Sequence, residues 1–298
     1  QKRVSNISFN IAIFTNLTPE HLDYHKTLNN YFNTKLSLFK TLPKKSRAVV
    51  NISDKYGKKI KKNLDILTND FSVSGNNGAH FETIENNYNG INGIIKSDTL
   101  EYKVESKLLG KFNAENILAA VECAHILGIE KKFIELGIKK CPPIPGRMES
   151  FELSNGAKAI LDYAHTPDAY EKSLSTLSKI LNHQGRMYVV FGAGGERDQL
   201  KRAEMGQIAE KYCYHSYVTP DNPRNEDLKS INDQIILGFK RKENYSIFTD
   251  RIEGLHNALR KAKRNDLVAI LGKGREEYQE INGIKEAHSD LKIIRMYQ

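Results

Sequence analysis

Short apolar runs that alternate with amphipathic segments constrain the second half of the chain most strongly. Each run has the length and composition of a buried strand, and the segments between the runs have helical periodicity. Strands are predicted at residues 157–161, 187–191, 216–219 and 267–271. Helices are predicted at residues 167–181 and 199–212. This alternation predicts an α/β fold with a doubly wound, mainly parallel sheet.

The unusual polar residues of this half fall in the loops that follow those strands. The loops contain DYAHTP (162–167), GAGGERD (192–198), DNPR (221–224) and GKG (272–274). Ligands of such sheets gather at the carboxyl ends of the strands, so these loops together indicate a binding site more strongly than any one of them alone. A dinucleotide motif is not indicated, because GxGxxG would need a third glycine where Arg197 stands.

A proline-rich segment divides the chain. Pro142, Pro143 and Pro145, followed by Gly146, interrupt any helix, so we expect one domain over residues 1–144 and a second over 145–298. In the first domain, strands are predicted at 7–14 and 48–51, helices at 29–42, 55–64 and 117–127, and Asn-Gly hairpin turns at 77–78, 89–90 and 92–93. Asn113, just before the last of these helices, is a candidate N-cap.

The composition is that of a globular chain whose positive charge suits anionic ligands. The 298 residues suffice for about two domains, 39% of them are hydrophobic, and the formal net charge is +9. Because the lysines are scattered, we expect an anionic small-molecule substrate and no nucleic acid. No apolar stretch predicts a membrane span or a signal peptide. The three widely spaced cysteines are typical of cytoplasmic free thiols, and a monomer is expected.

A further polar loop follows the first predicted strand. It carries His21, Asp23 and His25, and Lys35 lies in the helix after it. Imidazole and carboxylate groups at the end of a strand suggest an anion or metal site. A helix cap with surface histidines explains the same residues, and spacing alone leaves both interpretations open.

Several segments together resemble the Mur ligases, the ATP-dependent amide-bond formers of peptidoglycan precursor synthesis. They are TNLTPEHLDYH with YFNTK (15–25 and 31–35), GKFNAENILAA (110–120), PGRME (145–149), DYAHTPDA (162–169), GAGGERD, DNPR and GKGREEYQ (272–279). The resemblance extends from residue 1 to about residue 290 and is greatest to the tripeptide-forming, MurE-type members. It implies an incomplete central ATPase domain followed by a Rossmann-like, doubly wound C-terminal domain.

The resemblance also implies roles for individual residues. Lys35, as a carbamate, and His21 would be catalytic and would hold Mg²⁺. The carbamate would supply the oxygen ligands that Mg²⁺ prefers. The nucleotide ATP would contact Asn113, Arg147, Asp162 and His165, and the UDP-substrate would contact Gln1 and Arg3. The incoming amino acid would be held by Arg197, Asp221, Asn222, Pro223, Arg224, Gly272 and Glu276.

The implied reaction joins meso-diaminopimelate to UDP-N-acetylmuramoyl-L-alanyl-D-glutamate. ATP would phosphorylate the glutamate γ-carboxylate, the amine of diaminopimelate would attack the acyl phosphate, and phosphate would leave. A lysine-adding ligase and a folylpolyglutamate synthetase are related alternatives. DNPR, which marks the diaminopimelate-adding members, argues against both. Against the lysine-adding ligase there is a direct physical reason: Arg224 would bind the distal carboxylate, which lysine lacks.

Two features depart from the family pattern. Arg275 and Glu277 stand where the family motif GKGHEDYQ has His and Asp. The phosphate-loop motif G-x-x-x-x-G-K-[ST] does not occur in the 298 residues. We therefore expect a fragment of a ligase that is inactive alone, or alternatively a non-catalytic amino-acid-binding module.

Overall fold

The computed structural model describes residues 4, 6–19, 22–75, 77–87 and 89–298. The chain divides into two compact units, residues 1–142 and residues 143–298. Within the described part, no helix combines the length and the apolar character that crossing a membrane requires. Each unit is built around its own six-stranded sheet.

The first unit is a mixed sheet with helices packed against it. Its elements are β1 Ile11–Phe14, α1 Leu22–His25, α2 Leu28–Lys40, β2 Arg47–Asn51, α3 Lys55–Lys62, β3 Leu67–Ser72, β4 Ala79–Asn87, β5 Gly90–Ser97, β6 Leu100–Ser106, α4 Lys111–Ile126 and α5 Lys131–Lys140. The strands lie in sequence order; β1 to β4 pair in parallel and β4 to β6 antiparallel. Val49, Ile91 and Leu118 are fully buried in the core between this sheet and α4.

The hairpin predictions for this unit were partly right. The Asn89–Gly90 pair lies at the turn between β4 and β5. The turn predicted at Asn92–Gly93 was wrong, because both residues lie inside β5. Gly93 is needed there for close approach of the neighbouring strand, since a Cβ on it would lie 2.1 Å from the carbonyl oxygen of Thr83.

The start of α4 also differs from the N-cap interpretation. The cap is Gly110, whose φ of 92° few other residues adopt. Asn113 lies within the first turn, and its Nδ2 donates to the carbonyl oxygen of Leu109 at 2.8 Å. The helix consequently begins at Lys111 rather than at the predicted residue 117.

The second unit is a doubly wound sheet, which confirms the predicted fold class. Its elements are β7 Glu149–Glu152, β8 Lys158–Asp162, α6 Pro167–Leu181, β9 Met187–Phe191, α7 Lys201–Tyr212, β10 His215–Val218, α8 Leu228–Ile236, a 3₁₀ turn Lys242–Asn244, β11 Tyr245–Ile247, α9 Arg251–Lys261, β12 Leu267–Leu271, β13 Tyr278–Ile281, β14 Ile284–Ala287 and α10 Asp290–Arg295. The sheet order is β11-β10-β9-β12-β8-β7, and only the edge strand β7 among these runs antiparallel. The predicted strands and helices of this half lie within two residues of the observed bounds.

Arg251 is fully buried at the carboxyl edge of this second sheet. Its Nε and Nη2 donate to the two carboxylate oxygens of Asp290 at 2.9 and 2.8 Å. Its Nη1 donates to the hydroxyl of Thr219 and its Nη2 to the carbonyl oxygen of Leu271, both at 3.0 Å. Burial alone would raise the pKa of Asp290, but Arg251 and a hydrogen bond from His288 lower it. The pair therefore fastens the ends of β10 and β12 to α10.

Arg251→Met should destabilise the protein by about 3–5 kcal/mol, because it leaves the Asp290 carboxylate buried without its partner. The free energy of unfolding is measured by urea titration with circular dichroism. Lys229→Ala is the matched control, since it removes only the exposed ion pair with Asp233 and should change the unfolding midpoint little. Equal unfolding midpoints for the two variants would contradict the structural role of Arg251.

Candidate functional site

Four loops meet at the carboxyl edge of the second sheet. They follow β8, β9, β10 and β12, which run in parallel and are neighbours in the sheet. The β10 loop contacts the β9 loop where Arg224 Nη1 donates to the carbonyl oxygen of Gly195 at 2.6 Å. It contacts the β12 loop where Asn222 Nδ2 donates to Glu276 Oε2 at 3.1 Å. The structure thus brings together the residues that were predicted to hold an amino acid.

The polar side chains of these four loops form a cluster with an acidic and a basic side. Glu276 lies at the centre of the acidic side. Its Oε2 accepts from Asn222 Nδ2 at 3.1 Å and from Lys273 Nζ at 3.0 Å, and its Oε1 accepts from the Tyr163 hydroxyl at 3.1 Å. Burial alone would raise the pKa of Glu276, but these donors, Lys273 foremost, lower it. Glu276 is therefore held as a carboxylate at neutral pH.

Lys273 organises this side and was not among the predicted site residues. Its side chain is buried, with only 1% of the residue exposed. Its Nζ donates to Asn222 Oδ1 at 2.9 Å as well as to Glu276. The only sequence signal for it is its place between two glycines in the GKG loop.

Asp221 adds a second carboxylate to the acidic side. Burial raises the pKa of Asp221, and the positive charges of Arg251 and Lys273 offset that effect only in part. The carboxylate lies directly against Gly272, where a Cβ would be 2.5 Å from Asp221 Oδ2. Because Gly272 also has a φ of 107°, no other residue fits this position without strain.

Two arginines form the basic side of the cluster, and both lie against Gly194. A Cβ on Gly194 would be 3.2 Å from Arg224 Nη1 and 3.6 Å from Arg197 Cγ. Arg224 has a φ of 54°, and its Nε lies 3.4 Å from Glu280 Oε2. Arg197 is exposed, and no described residue accepts a hydrogen bond from its guanidinium. The basic side can therefore bind a carboxylate, since guanidinium groups grip carboxylates in a two-pronged fashion.

Pro223 shapes this basic side through its backbone. A Cβ on Gly195 would lie 1.9 Å from the Pro223 carbonyl oxygen, so the β9 and β10 loops touch at that point. Behind them, the buried Arg202 donates to the Gly194 carbonyl oxygen at 3.1 Å and to Glu226 Oε2 at 2.8 Å. These contacts hold the glycine-rich loop in place.

The predicted nucleotide contacts of this unit surround Tyr163. The Arg147 guanidinium carbon lies 5.2 Å from the centre of the Tyr163 ring, and His165 Nδ1 is 2.9 Å from the Tyr163 carbonyl oxygen. Asp162 forms an Asx-turn: its Oδ1 accepts from Ala164 N at 3.0 Å, and its Oδ2 accepts from Met148 N at 2.8 Å. Both oxygens of Asp162 are therefore engaged by groups of the protein itself, whereas Arg147 and His165 are exposed.

The position where the family motif has His is occupied by Arg275, which pairs with a carboxylate of β7. Arg275 Nε donates to Glu149 Oε2 at 2.9 Å, and the Gly146 amide donates to the same oxygen at 2.8 Å. Burial would raise the pKa of Glu149, but Arg275 and the Gly146 amide lower it. Arg275 therefore fastens the β12 loop to the segment that carries Arg147.

The predicted residues of the first unit are described only in part. Lys35 lies in α2, with its ammonium 4.9 Å from the centre of the Tyr31 ring, which stacks on His25. Asn113 is buried in α4. Gln1, Arg3 and His21 lie outside the described residues. Where side chains are described, no three His, Cys, Asp or Glu side chains lie close enough together to hold a metal ion.

Comparison with known proteins agrees with this architecture. The model of the "Mur ligase middle domain" matches residues 1–124, and that of the "Mur ligase, glutamate ligase domain" matches residues 146–274. The two matches together span most of the chain. The chain belongs to the Mur ligase family.

The more similar relatives within the family share one name. The UDP-N-acetylmuramoyl-L-alanyl-D-glutamate--2,6-diaminopimelate ligases of Aquifex aeolicus (strain VF5) and Phocaeicola vulgatus are 40% and 36% identical to the chain, each over 99% of the chain and 60% of the relative. A solved structure of a ligase with this name is 31% identical with a TM-score of 0.69, over 99% of the chain and 61% of that protein. The chain thus spans about 60% of the length of the relatives it matches.

Gly272→Ala should lower the free energy of unfolding by about 1–3 kcal/mol, because alanine is strained at this positive φ and its Cβ meets Asp221. The matched control is Gly137→Ala in α5, where an added Cβ would have no neighbouring atom within 4 Å. This substitution should stabilise the helix by up to about 1 kcal/mol. Both free energies are measured by chemical unfolding. Tolerance of alanine at 272 would show that the β12 loop does not need glycine.

Proposed function

We propose that this chain is the part of a diaminopimelate-adding Mur ligase that selects the incoming amino acid. One observation carries the proposal: two carboxylates, Asp221 and Glu276, and two guanidinium groups, Arg197 and Arg224, occupy loops at the same edge of one sheet. Such a cluster suits a ligand end that carries both an ammonium and a carboxylate. The names of the relatives support this assignment.

The chemistry of meso-diaminopimelate matches this requirement. Each of its two ends carries an amine and a carboxylate, and only one amine reacts. We assign the distal carboxylate to Arg224 and Arg197 and the distal ammonium to Glu276 and Asp221. Asn222 and Gly272 contribute by holding those carboxylates in place. The other end of the ligand is then free to present its amine to the acyl donor.

The full protein would use this site in an ATP-dependent ligation. The γ-carboxylate of UDP-N-acetylmuramoyl-L-alanyl-D-glutamate takes the terminal phosphoryl group of ATP and releases ADP. The diaminopimelate amine attacks the acyl carbon, the new C–N bond forms, the C–O bond to phosphate breaks, and the amine loses a proton. Arg147 and His165, which are exposed, are assigned to ATP with Asn113, while Asp162 holds their loop. Gln1 and Arg3 are assigned to the UDP-substrate.

Magnesium is part of the same proposal, but the described residues do not form a site for it. Lys35 is one cationic side chain over an aromatic ring, and no described cluster of acidic or imidazole groups accompanies it. A carbamate on Lys35 would change its chemistry: the neutral amine adds CO₂, a proton leaves, and the product has carboxylate-like oxygens that Mg²⁺ prefers. A cytoplasmic location is part of the proposal, since ATP and these substrates are found there.

The full natural protein should prefer meso-diaminopimelate over L-lysine by about a hundredfold or more in kcat/KM, because lysine leaves Arg224 without a carboxylate. Arg224→Ala should reduce this ratio by at least about tenfold, and Arg224→Lys should restore only part of it. Arg241→Ala, at an exposed arginine outside the four loops, is the matched control. If Arg224→Ala left the ratio of the two kcat/KM values unchanged, DNPR would not be the segment that selects the amino acid.

Lys35→Ala should lower tripeptide formation by at least about tenfold in the full protein, equivalent to about 1.4 kcal/mol, because the carbamate oxygens are lost. Added short carboxylates or bicarbonate should restore part of the activity. Lys40→Ala, at an exposed position of the same helix, should change the rate little. Full activity of Lys35→Ala without additives would exclude the carbamate role.

A further inference from the structure

Tyr163 lies between two groups that the proposed function assigns to different substrates. The guanidinium carbon of Arg147, assigned to ATP, lies 5.2 Å from the centre of the Tyr163 ring. The hydroxyl at the other end of the same side chain donates to Glu276 Oε1 at 3.1 Å. Glu276 is assigned to the amino acid. A single side chain thus contacts the predicted ATP-binding arginine and the predicted ammonium-binding carboxylate.

The hydroxyl of Tyr163 determines how one oxygen of Glu276 is presented. Oε2 of Glu276 already accepts from both Asn222 and Lys273. Among the described residues, Oε1 accepts only from Tyr163, so it retains an acceptor position for an incoming ammonium. Without the hydroxyl, the described donors to Glu276 all bind Oε2, and the carboxylate can rotate about that oxygen. Burial and the nearby Glu276 raise the pKa of Tyr163, which keeps the hydroxyl protonated and able to donate.

The backbone and the ring of Tyr163 are each held by a neighbouring segment. The Tyr163 amide donates to the carbonyl oxygen of Gly146 at 2.9 Å. The ring packs against Gly274, where a Cβ would lie 3.0 Å from Tyr163 Cδ2. The Gly146 amide in turn donates to Glu149, which is paired with Arg275. The position of the Tyr163 ring is therefore set by the fold and does not depend on either substrate.

We propose that Tyr163 is a positioning residue that orients Glu276 towards the distal ammonium of the amino acid and supports Arg147 through its ring. This inference rests on the proposed function. Tyr163 itself need not touch either substrate. Its hydroxyl acts on Glu276 and its ring acts on Arg147, so the two roles can be tested separately. Removal of the hydroxyl should affect the amino acid alone, whereas removal of the ring should affect both substrates.

The experiment compares Tyr163→Phe and Tyr163→Leu in the full natural protein. Tyr163→Phe keeps the ring and loses one hydrogen bond to a charged group, so the KM for meso-diaminopimelate should rise about tenfold. The KM for ATP should change less than about twofold, and kcat at saturating amino acid should fall less than about threefold. Tyr163→Leu should raise the KM for both substrates. In the double variant Tyr163→Phe, Glu276→Gln, the two effects on KM should not multiply, because they act through one contact.

Tyr297→Phe is the matched control, since its hydroxyl bonds to His256 and it lies in none of the four loops. It should leave both KM values unchanged. Unfolding midpoints of all variants show that each is folded, and Tyr163→Leu provides a second test if Tyr163→Phe is not. The inference would be overturned if Tyr163→Phe had the same KM for the amino acid as the wild type, or if its KM rose equally for both substrates. Either result would leave the proposed function intact. A wild-type protein that does not ligate meso-diaminopimelate would overturn both.

Discussion

The buried pair of Arg251 and Asp290 is the interaction on which the carboxyl edge of the second sheet depends. One guanidinium satisfies a carboxylate of α10, a hydroxyl just after β10 and a carbonyl oxygen at the end of β12. The loops that carry Asn222 and Glu276 leave the sheet at these two strand ends. A charge buried so completely is tolerated only because every strong partner is present. The buried pair, and not contacts within the loops, therefore fixes the position of the two loops relative to each other.

The site built on that edge is close to electrically balanced before any ligand arrives. Glu276 is paired with Lys273, and Arg224 lies near Glu280. A zwitterionic ligand end adds no net charge to such a site, whereas the side-chain end of lysine would add one uncompensated positive charge. Charge balance thus offers a second physical reason, besides the proposed contact with Arg224, for the proposed preference for meso-diaminopimelate.

Much of the fold of the second unit could be predicted from the sequence, because its strands are buried on both faces and read as unbroken apolar runs such as 187–191. The edge strand β7 (ESFE) carries no such run and was missed. The wrong turn at Asn92–Gly93 has a different cause: a dipeptide does not reveal whether its glycine serves a turn or the close approach of a neighbouring strand. At the site, the pair of Arg275 and Glu149 joins residues 126 positions apart, and the burial of Lys273 arises only when two loops converge. Neither this pairing nor this burial can be predicted from local sequence patterns.

The left-handed backbone at Arg224 has a consequence for the evolution of this domain. Most residues other than glycine are strained by about 1–3 kcal/mol at such a φ, and among them asparagine adopts it more readily than arginine does. Selection for thermal stability alone would therefore favour glycine at this position and would erase the guanidinium. Under the proposed function, an arginine at a position suited to glycine exchanges local stability for substrate choice. Directed evolution towards heat tolerance should monitor this codon, because the most stable variants are the ones expected to become indiscriminate.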